Sequence, residues 1–335
     1  MKAAVFAYSR QGCKTARRVK DFLDGEIRLF TMARFEEVGF ASIERKLYRE
    51  LFFQSDAYIF IGSCGIAVRE IAPYVKDKRT DPAVLCIDEL GQFVIPLLSG
   101  HIGGANELAR QLADGLDATP VITTATDISN RFSVDAWAAR NGCVISSMKA
   151  AKAVSAAILE ADVPLNSDFP ILTALPNGVI MGNSGDVGIY LTYKKKQPFT
   201  QTLCLIPKVL HLGIGCRKGK KSSAIREVVD MVFDREGIDK RAIKSVATID
   251  LKGREQGFLE YCQENNWPVS FYSAQQLKAV TGDFTPSEFV RSITGVDNVC
   301  ERAALLGAER LIVKRTARNG VTVAVAEEHW EVYFG

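Results

Sequence analysis

An α/β fold with a mainly parallel sheet is predicted by three observations. Apolar runs of strand length alternate with segments of helical period from the first residues onward, the pattern of β-α-β units. The segment after Ser99 carries an apolar stripe of helical spacing. The composition, 47% hydrophobic and 24% charged over 335 residues, is that of chains that bury a packed core, and at this length two or three domains are expected.

The elements follow in order. Strands are predicted at 3–7, 26–30, 57–61, 83–87, 93–98 and 120–123, each a run of β-branched, aromatic or aliphatic residues bounded by polar or turn-forming ones. Helices are predicted between them at 13–23, 43–53 and 65–75. The clearest lies beyond Ser99, where Ala105, Leu108, Ala109, Leu112, Ala113 and Leu116 recur at i, i+3, i+4, i+7, i+8 and i+11 and form one buried face. Around Asp127 the alternation loosens. Pro164, Pro170, Pro176, Gly178, Gly182, Gly185 and Gly188 mark a turn-rich stretch. Regular alternation resumes with strands at 209–214, 245–249 and 269–272 and helices near 223–235, 255–265 and 299–306. Two last strands, 310–314 and 321–326, are joined through Arg318, Asn319 and Gly320, and Asn-Gly favours the positive φ of a tight hairpin. We therefore expect an N-terminal domain over 1–127, a small middle domain over 128–207 and a C-terminal α/β domain over 208–335.

Several function classes are disfavoured. A net charge of +3 gives no argument for nucleic-acid binding. No run approaches the roughly 20 apolar residues that span a bilayer, and no targeting segment is read at the N-terminus. The eight cysteines include no C-x-x-C pair, so neither a zinc site nor a disulfide framework is expected, and reduced thiols in the cytoplasm are. The charge is unevenly placed: from Val187 to Arg226 there is no acid, while Lys194, Lys195, Lys196, Lys208, Arg217, Lys218, Lys220, Lys221 and Arg226 are cationic. Such a run is either a solvated loop or a docking field for a polyanion.

Five segments could carry chemistry. In LLSGHIGGANELA (97–109) a strand leads through Gly100, Gly103 and Gly104 into a helix, so backbone N–H groups and the helix dipole would converge beside His101. His101 is one of three histidines, and histidine exchanges protons near neutrality. Equally, Ser99 could cap the helix while His101 packs locally. GSCGIAVRE (62–70) repeats the strand-turn-helix arrangement with Gly62, Gly65 and Arg69. Cys64 there reads as a turn-packing thiol. TTATD (123–127) offers Thr123, Thr124 and Asp127 to a polar ligand or to a helix cap. All three turns are expected at the carboxyl edge of one sheet, facing one crevice. HLGIGCRKGKKSS (211–223) has Gly213, Gly215 and Gly219 after a strand. It fails the dinucleotide pattern, because the acid that should meet the ribose comes too late at Asp250, and it fails the phosphate-loop pattern because Ile214 replaces the first glycine. What remains is a cationic, glycine-rich turn suited to carboxylates. In DNVCERAALLGA (297–308), Glu301 sits in the first helical turn, a common complement to the helix dipole. His329, beside Trp330, reads as a surface residue.

These residues carry a resemblance. GSCGIAVREIAP (62–73), DPAVLCIDELGQFVIPLLSGHIGGANELA (81–109) and VITTATD (121–127) resemble the amino-terminal domain of the CbiG family of anaerobic cobalamin biosynthesis. HLGIGCRKGK (211–220), SVATIDLKGREQGFLEYC (245–262), NVCERAALLGA (298–308) and GVTVAVA (320–326) resemble its C-terminal domain, which is shared with CobE proteins. The middle of the chain corresponds to a variable region. Asn298 stands where the family more often has serine. The resemblance implies a cobalt-precorrin-5A hydrolase: a δ-lactone is opened by water and a two-carbon fragment leaves as acetaldehyde. The segments read above suit that reaction: His101 is the candidate base, with the N–H groups of Gly103 and Gly104 as oxyanion donors and Asn106, Asp127 and Glu301 as helpers or rivals. Substrate contacts are expected from Gly62, Gly65, Arg69, Ser99, Gly100, Gly103, Gly104, Thr123, Thr124, Asp127, Gly213, Gly215, Cys216, Arg217 and Lys218. The cationic run from Lys194 to Lys221 would dock the carboxylates of a small-molecule tetrapyrrole. Cobalt would arrive with that substrate, so no protein-bound metal or cofactor is expected, nor a nucleic-acid or membrane partner. A homodimer, hand-over to neighbouring pathway enzymes, a non-catalytic corrinoid carrier and, more weakly, a dinucleotide-dependent enzyme stay open.

Overall fold

A computed structural model describes residues 1–35, 37–77, 80–101, 103–124 and 131–334. Contacts divide the chain into two compact units, Met1–Trp137 and Ala138–Gly335, and its sheets into three. The fold is α/β, as the alternation predicts.

The first unit holds β1 (Lys2–Ala7), α1 (Arg10–Asp21), β2 (Glu26–Thr31), β3 (Ala41–Ser42), α2 (Arg45–Phe52), β4 (Ala57–Ile61), α3 (Cys64–Ile71), β5 (Ala83–Ile87), β6 (Phe93–Leu98), α4 (Ala105–Leu116) and β7 (Thr119–Pro120). The strand order is β3-β2-β1-β4-β5-β6-β7. Alternation along β1 shows why the sheet is covered on both faces. Val5 joins Ile59, Leu85, Leu108 and Leu112 in one cluster under α1 and α4, while Phe6 joins Phe30, Phe52, Tyr58 and Phe60 in the other, under α2 and α3. Phe6 and Phe30 stack with centroids 5.1 Å apart, a packing that adds to the area they bury. All six residues of the predicted α4 stripe are buried.

One pairing departs from the parallel expectation: β5 and β6 are antiparallel, with Ile87 beside Val94 and Val84 beside Leu98. The turn is built by Asp88, whose Oδ1 accepts from the N–H groups of Gln92 and Phe93, both at 2.7 Å, and Gly91 supplies a φ of +72°. β7 then pairs parallel to β6 across α4. The strand predicted at 120–123 is reduced to Thr119–Pro120, so Thr123 and Thr124 follow it in irregular backbone.

α5 (Val134–Arg140) spans the boundary between the units. The second unit contains β8 (Val144–Ile145), α6 (Met148–Glu160), β9 (Val163–Ser167), β10 (Val179–Met181), β11 (Val187–Leu191) and β12 (Gln201–Ile206), in the order β10-β9-β11-β12-β8. It continues with β13 (Leu210–Cys216), α7 (Ser222–Arg235), β14 (Ile243–Ile249), α8 (Gln256–Glu264), β15 (Val269–Tyr272), α9 (Ala274–Ala279), α10 (Glu288–Thr294), α11 (Cys300–Leu305), β16 (Arg310–Arg318) and β17 (Val321–Glu327), in the order β15-β14-β13-β17-β16. Its two sheets are tied together by the Lys195–Asp234 ion pair at 2.7 Å, by Asp239 N–H donating to the Tyr193 carbonyl at 2.8 Å, and by Phe169 edge-on to Trp330. β13, β14 and β15 are parallel, whereas β17 runs antiparallel to β13 and β16 antiparallel to β17. Asn319 and Gly320 turn the terminal hairpin at φ of +50° and +74°, the positive values expected of Asn-Gly.

Candidate active site and ligand pocket

The loop from Ser99 to Asn106 is a tight knot of backbone. Ala105 N–H donates to the Ser99 carbonyl at 3.1 Å, Asn106 N–H to Gly100 at 2.9 Å and Gly104 N–H to His101 at 3.0 Å. The glycines are there for space: a Cβ on Gly103 would lie 2.4 Å from the Ser99 Cβ, and one on Gly100 would lie 2.7 Å from Asn106 Oδ1. Ser99 itself sits at a φ of +58°, a conformation that costs a non-glycine residue energy and persists only where its surroundings impose it. Its hydroxyl donates to the Asp81 carbonyl at 3.0 Å. Helix capping by Ser99 is thereby replaced: the N-cap of α4 is Gly104, at a φ of +78°. The Gly104 part of the expected oxyanion role needs correction, since its N–H is engaged by the His101 carbonyl. Asn106 is 4% exposed, and its amide donates to Thr124 Oγ1 at 2.8 Å. Buried in this way it braces Thr124 against the loop, a supporting place rather than the catalytic one expected of it.

His101 has a partner that sequence reasoning missed. Its Nδ1 lies 3.8 Å from Oδ1 of Asp135, and the imidazole retains 22% exposure. This is an ionic approach rather than a hydrogen bond. The carboxylate is held in turn by the Ser133 hydroxyl at 3.0 Å and the Ala136 N–H at 3.1 Å. An accessible imidazole backed by an oriented carboxylate is suited to taking a proton from water and stabilising the charge that follows. Asp135 opens α5 in the segment SVDAW, where an acid in a first helical turn gives no reason to look further.

The structure separates what the sequence grouped. The β5–β6 reversal carries the His101 loop to the sheet edge where β4 and β5 begin, whereas Gly62 follows the end of β4. Gly62, Gly65 and Arg69 therefore lie at the opposite edge from His101, with Gly65 and Arg69 exposed on α3. The single crevice expected of the three turns does not form. Thr124 does join the His101 loop, through Asn106. Thr123 is exposed nearby in sequence, and Asp127 lies outside the described residues. Near Gly62, the Cys86 thiol donates to the Gly62 carbonyl at 3.2 Å, and burial pushes its pKa up, with Cys64 beside it adding to the shift. That thiol is a packing group.

In the second unit a pocket of about 730 Å³ opens at the carboxyl ends of β13 and β14, between the β16–β17 hairpin and helices α10 and α11. Gly215, Cys216, Arg217 and Lys218 line it, as expected, and Lys252, Arg315 and Arg318 add cationic side chains that the sequence reading did not single out. Phe289 and Ile293, 59% and 60% exposed, stand on one face of α10. The Arg217 guanidinium lies over the Phe289 ring at 5.7 Å. Burial raises the pKa of both pocket thiols, that of Cys300 to about 12, so both stay protonated at neutral pH.

Three further assignments change. Gly213 lies outside the pocket: it is buried under α11, where a Cβ would come within 1.8 Å of the Cys300 carbonyl oxygen. Its lack of a side chain lets helix and strand touch. Glu301 is fully buried, and its carboxylate accepts from Thr285 N–H at 2.7 Å, Thr285 Oγ1 at 3.0 Å, Asn298 Nδ2 at 2.7 Å and Arg315 N–H. A carboxylate so enclosed has no route to substrate; it ties pocket residues Asn298 and Arg315 to the 285 loop and belongs to the structural frame. The cationic run also divides. Lys195 pairs with Asp234 and Arg226 with Glu264, leaving Arg217 and Lys218 as its members in the pocket.

Among the described residues no group of three or more His, Cys, Asp or Glu is placed to hold a metal ion, and no helix is long and apolar enough to cross a membrane. Two family models match the chain, "Cobalamin synthesis G N-terminal" over residues 46–127 and "Cobalamin synthesis G C-terminus" over 210–326. The cobalt-precorrin-5A hydrolase of Priestia megaterium is 33% identical, over 96% of this chain and 94% of that protein. This chain belongs to the CbiG family. The Salmonella typhimurium cobalt-precorrin-5A hydrolase is 32% identical over 97% of each chain. Protein CobE of a Sinorhizobium species matches 35% of this chain at 31% identity, over 79% of its own length. The CbiG match confirms the resemblance in both terminal parts, and the Ser99–Asn106 loop falls within the N-terminal model.

Proposed function

We propose that the protein is a cobalt-precorrin-5A hydrolase, acting in cobalamin biosynthesis on a small-molecule tetrapyrrole that brings its own cobalt. The observation that carries this reading is similarity over nearly the whole chain to two proteins of that name. The His101 loop supplies chemistry that suits it.

In the first step His101 takes a proton from water, and the resulting hydroxide adds to the lactone carbonyl. Asp135 stabilises the imidazolium. Collapse of the tetrahedral intermediate breaks the ring C–O bond, and the imidazolium returns its proton to the leaving oxygen, giving a carboxylic acid and an alcohol. In the second step His101 takes the alcohol proton. The C–O bond becomes a carbonyl, the adjacent C–C bond breaks, its electron pair passes into the conjugated macrocycle, and a proton returns to the ring system. Acetaldehyde leaves; water is the only co-reactant. Ser99, Gly100 and Gly103 hold the imidazole in place through the closed loop, and Asn106 with Thr124 braces it.

The test is anaerobic incubation of the purified protein with cobalt-precorrin-5A, with acetaldehyde trapped as its hydrazone and the tetrapyrrole followed by mass. Equimolar aldehyde and a product whose mass reflects the gain of one water and the loss of one acetaldehyde support the reading. A visible-spectrum shift without aldehyde would replace it with a corrinoid carrier.

A further inference from the structure

We propose that Asp81 is a positioning residue for the reaction at His101: its backbone clasps the His101 loop through Ser99, and its buried negative charge favours the imidazolium that forms when His101 takes a proton. This deepens the hydrolase reading and rests on it for the reaction served; the coupling to His101 is measurable without turnover.

Asp81 stands two residues before β5 and Ser99 directly follows β6. The antiparallel pairing of Val84 with Leu98 brings them to the same end of the sheet. Pro82 disfavours helical backbone at Asp81, and the Asp81 carbonyl accepts the Ser99 hydroxyl at 3.0 Å. That contact helps to hold Ser99 at its φ of +58°. The Ser99 carbonyl accepts in turn from Ala105 N–H, so the loop carrying His101 is fixed to Asp81 at one end and to α4 at the other.

The side chain of Asp81 points to a role for its charge. Asp81 is 5% exposed. Its Oδ2 accepts from the N–H groups of Lys76 at 2.8 Å and Asp77 at 3.0 Å, which ties down the turn before β5. Its Oδ1 is buried with no hydrogen-bond partner among the described residues. Two backbone donors would be satisfied equally by an asparagine carbonyl, with no charge to bury. A half-satisfied buried carboxylate is costly and persists where its charge serves a site. What gains positive charge beside it is His101. Two residues of chain beyond Ser99 reach at most about 7 Å, which puts the carboxylate on the order of 10 Å from the imidazole. At that separation in a partly buried site, a carboxylate favours proton uptake by roughly three- to tenfold. Among the described residues, the other ionisable side chains on the elements around the loop are Arg131 and Asp135 before and within α5, Glu107 and Arg110 on α4, and Lys76 and Asp77 on the turn before β5. Glu107 and Arg110 pair with each other at 3.4 Å on the exposed face of α4, and Asp135 is held by its own donors. Of all these carboxylates, Asp81 alone keeps a buried oxygen without a donor.

The experiment follows the imidazole resonances of the full-length protein by NMR as pH is varied; the chain has three histidines, and His101→Ala assigns the one that matters. Asp81→Asn keeps an oxygen for the Lys76 and Asp77 N–H groups and removes the charge. Its His101 should titrate roughly half a unit to one unit lower than in wild type. Because the base acts deprotonated, the acid limb of kcat/KM for aldehyde release should move to lower pH by the same amount, with kcat down roughly two- to fivefold, as for a weaker base, and KM unchanged. The melting temperature should stay level or rise, since the variant no longer buries a charge. Asp81→Ser removes the same charge in a smaller side chain and should give the same shift, so the result does not hang on one variant folding. Glu107→Gln, which removes an exposed charge on α4, should move neither the resonance nor the limb. An unmoved His101 titration in the Asp81 variants overturns the proposal, as does an equal shift in Glu107→Gln. A shifted titration together with no aldehyde release from wild type would sink the hydrolase reading and leave the coupling standing; aldehyde release with an unshifted titration would do the reverse.

Discussion

Glu301→Gln separates a structural carboxylate from a catalytic one. Glu301 is fully buried and accepts four hydrogen bonds, two of them from the backbone N–H groups of Thr285 and Arg315. Glutamine keeps the shape but turns one acceptor into a donor. If its amide replaces Oε2 it faces Thr285 N–H, and if it replaces Oε1 it faces Arg315 N–H, so one buried backbone donor is orphaned either way. That costs about 1–3 kcal/mol, and the bonds that survive lose their charge assistance, about 1 kcal/mol each. Relief of the buried charge's desolvation offsets part of this, leaving a net loss of roughly 2–4 kcal/mol. For a cooperative unit of this size the melting temperature should fall by roughly 4–16 °C. Because the carboxylate supports Asn298 and Arg315 rather than touching substrate, KM should rise while kcat stays within a few-fold. Circular-dichroism melts paired with steady-state aldehyde release make the measurement. An unchanged melting temperature with kcat down by 10²–10⁴, roughly the worth of a lost acid–base group, would refute the argument and return Glu301 to the chemistry.

His101→Ala should lower kcat by roughly 10²–10⁴-fold with the melting temperature unchanged, and Asp135→Asn should lower kcat by a smaller factor at constant KM; wild-type turnover in His101→Ala would make the histidine structural. Gly213→Ala places a methyl 1.8 Å from the Cys300 carbonyl oxygen, which forces α11 off the sheet, so urea unfolding should report a loss of roughly 1–3 kcal/mol. The Asp297 carboxyl is held below the usual carboxylate range by its hydrogen bond with Arg302. A depressed folded-state pKa adds stability above the ordinary carboxylate range that is lost as pH falls through the folded value. Urea midpoints between pH 6 and pH 3 should therefore drop further for wild type than for Arg302→Met, and parallel curves would remove the pair from the acid response.

The sequence by itself determined the local elements and the family. Period-two and period-3.6 patterns depend on neighbours within a few residues, so β4, β5, β6, the α4 stripe and the Asn319-Gly320 turn were legible before any contact was known. The loop around His101 was legible too, because three glycines between a strand and a helix leave the backbone little choice. Tertiary structure decided where these pieces face. The signal that β6 runs backwards was present in the five residues from Asp88 to Gln92, too few for a parallel crossover, and that one reversal moves His101 to the other edge from Gly62. The partners of buried charge were not legible. Asp135 and Glu301 are both acids in first helical turns, indistinguishable in sequence, yet one stands beside an accessible imidazole and the other is sealed among four donors. The pocket cations come from the turn after β13, the segment after β14 and the far hairpin, residues some hundred positions apart. Local pattern fixes each element because its forces act over a turn or a pleat; what a side chain meets is fixed by long-range packing, which only the folded sheet brings about.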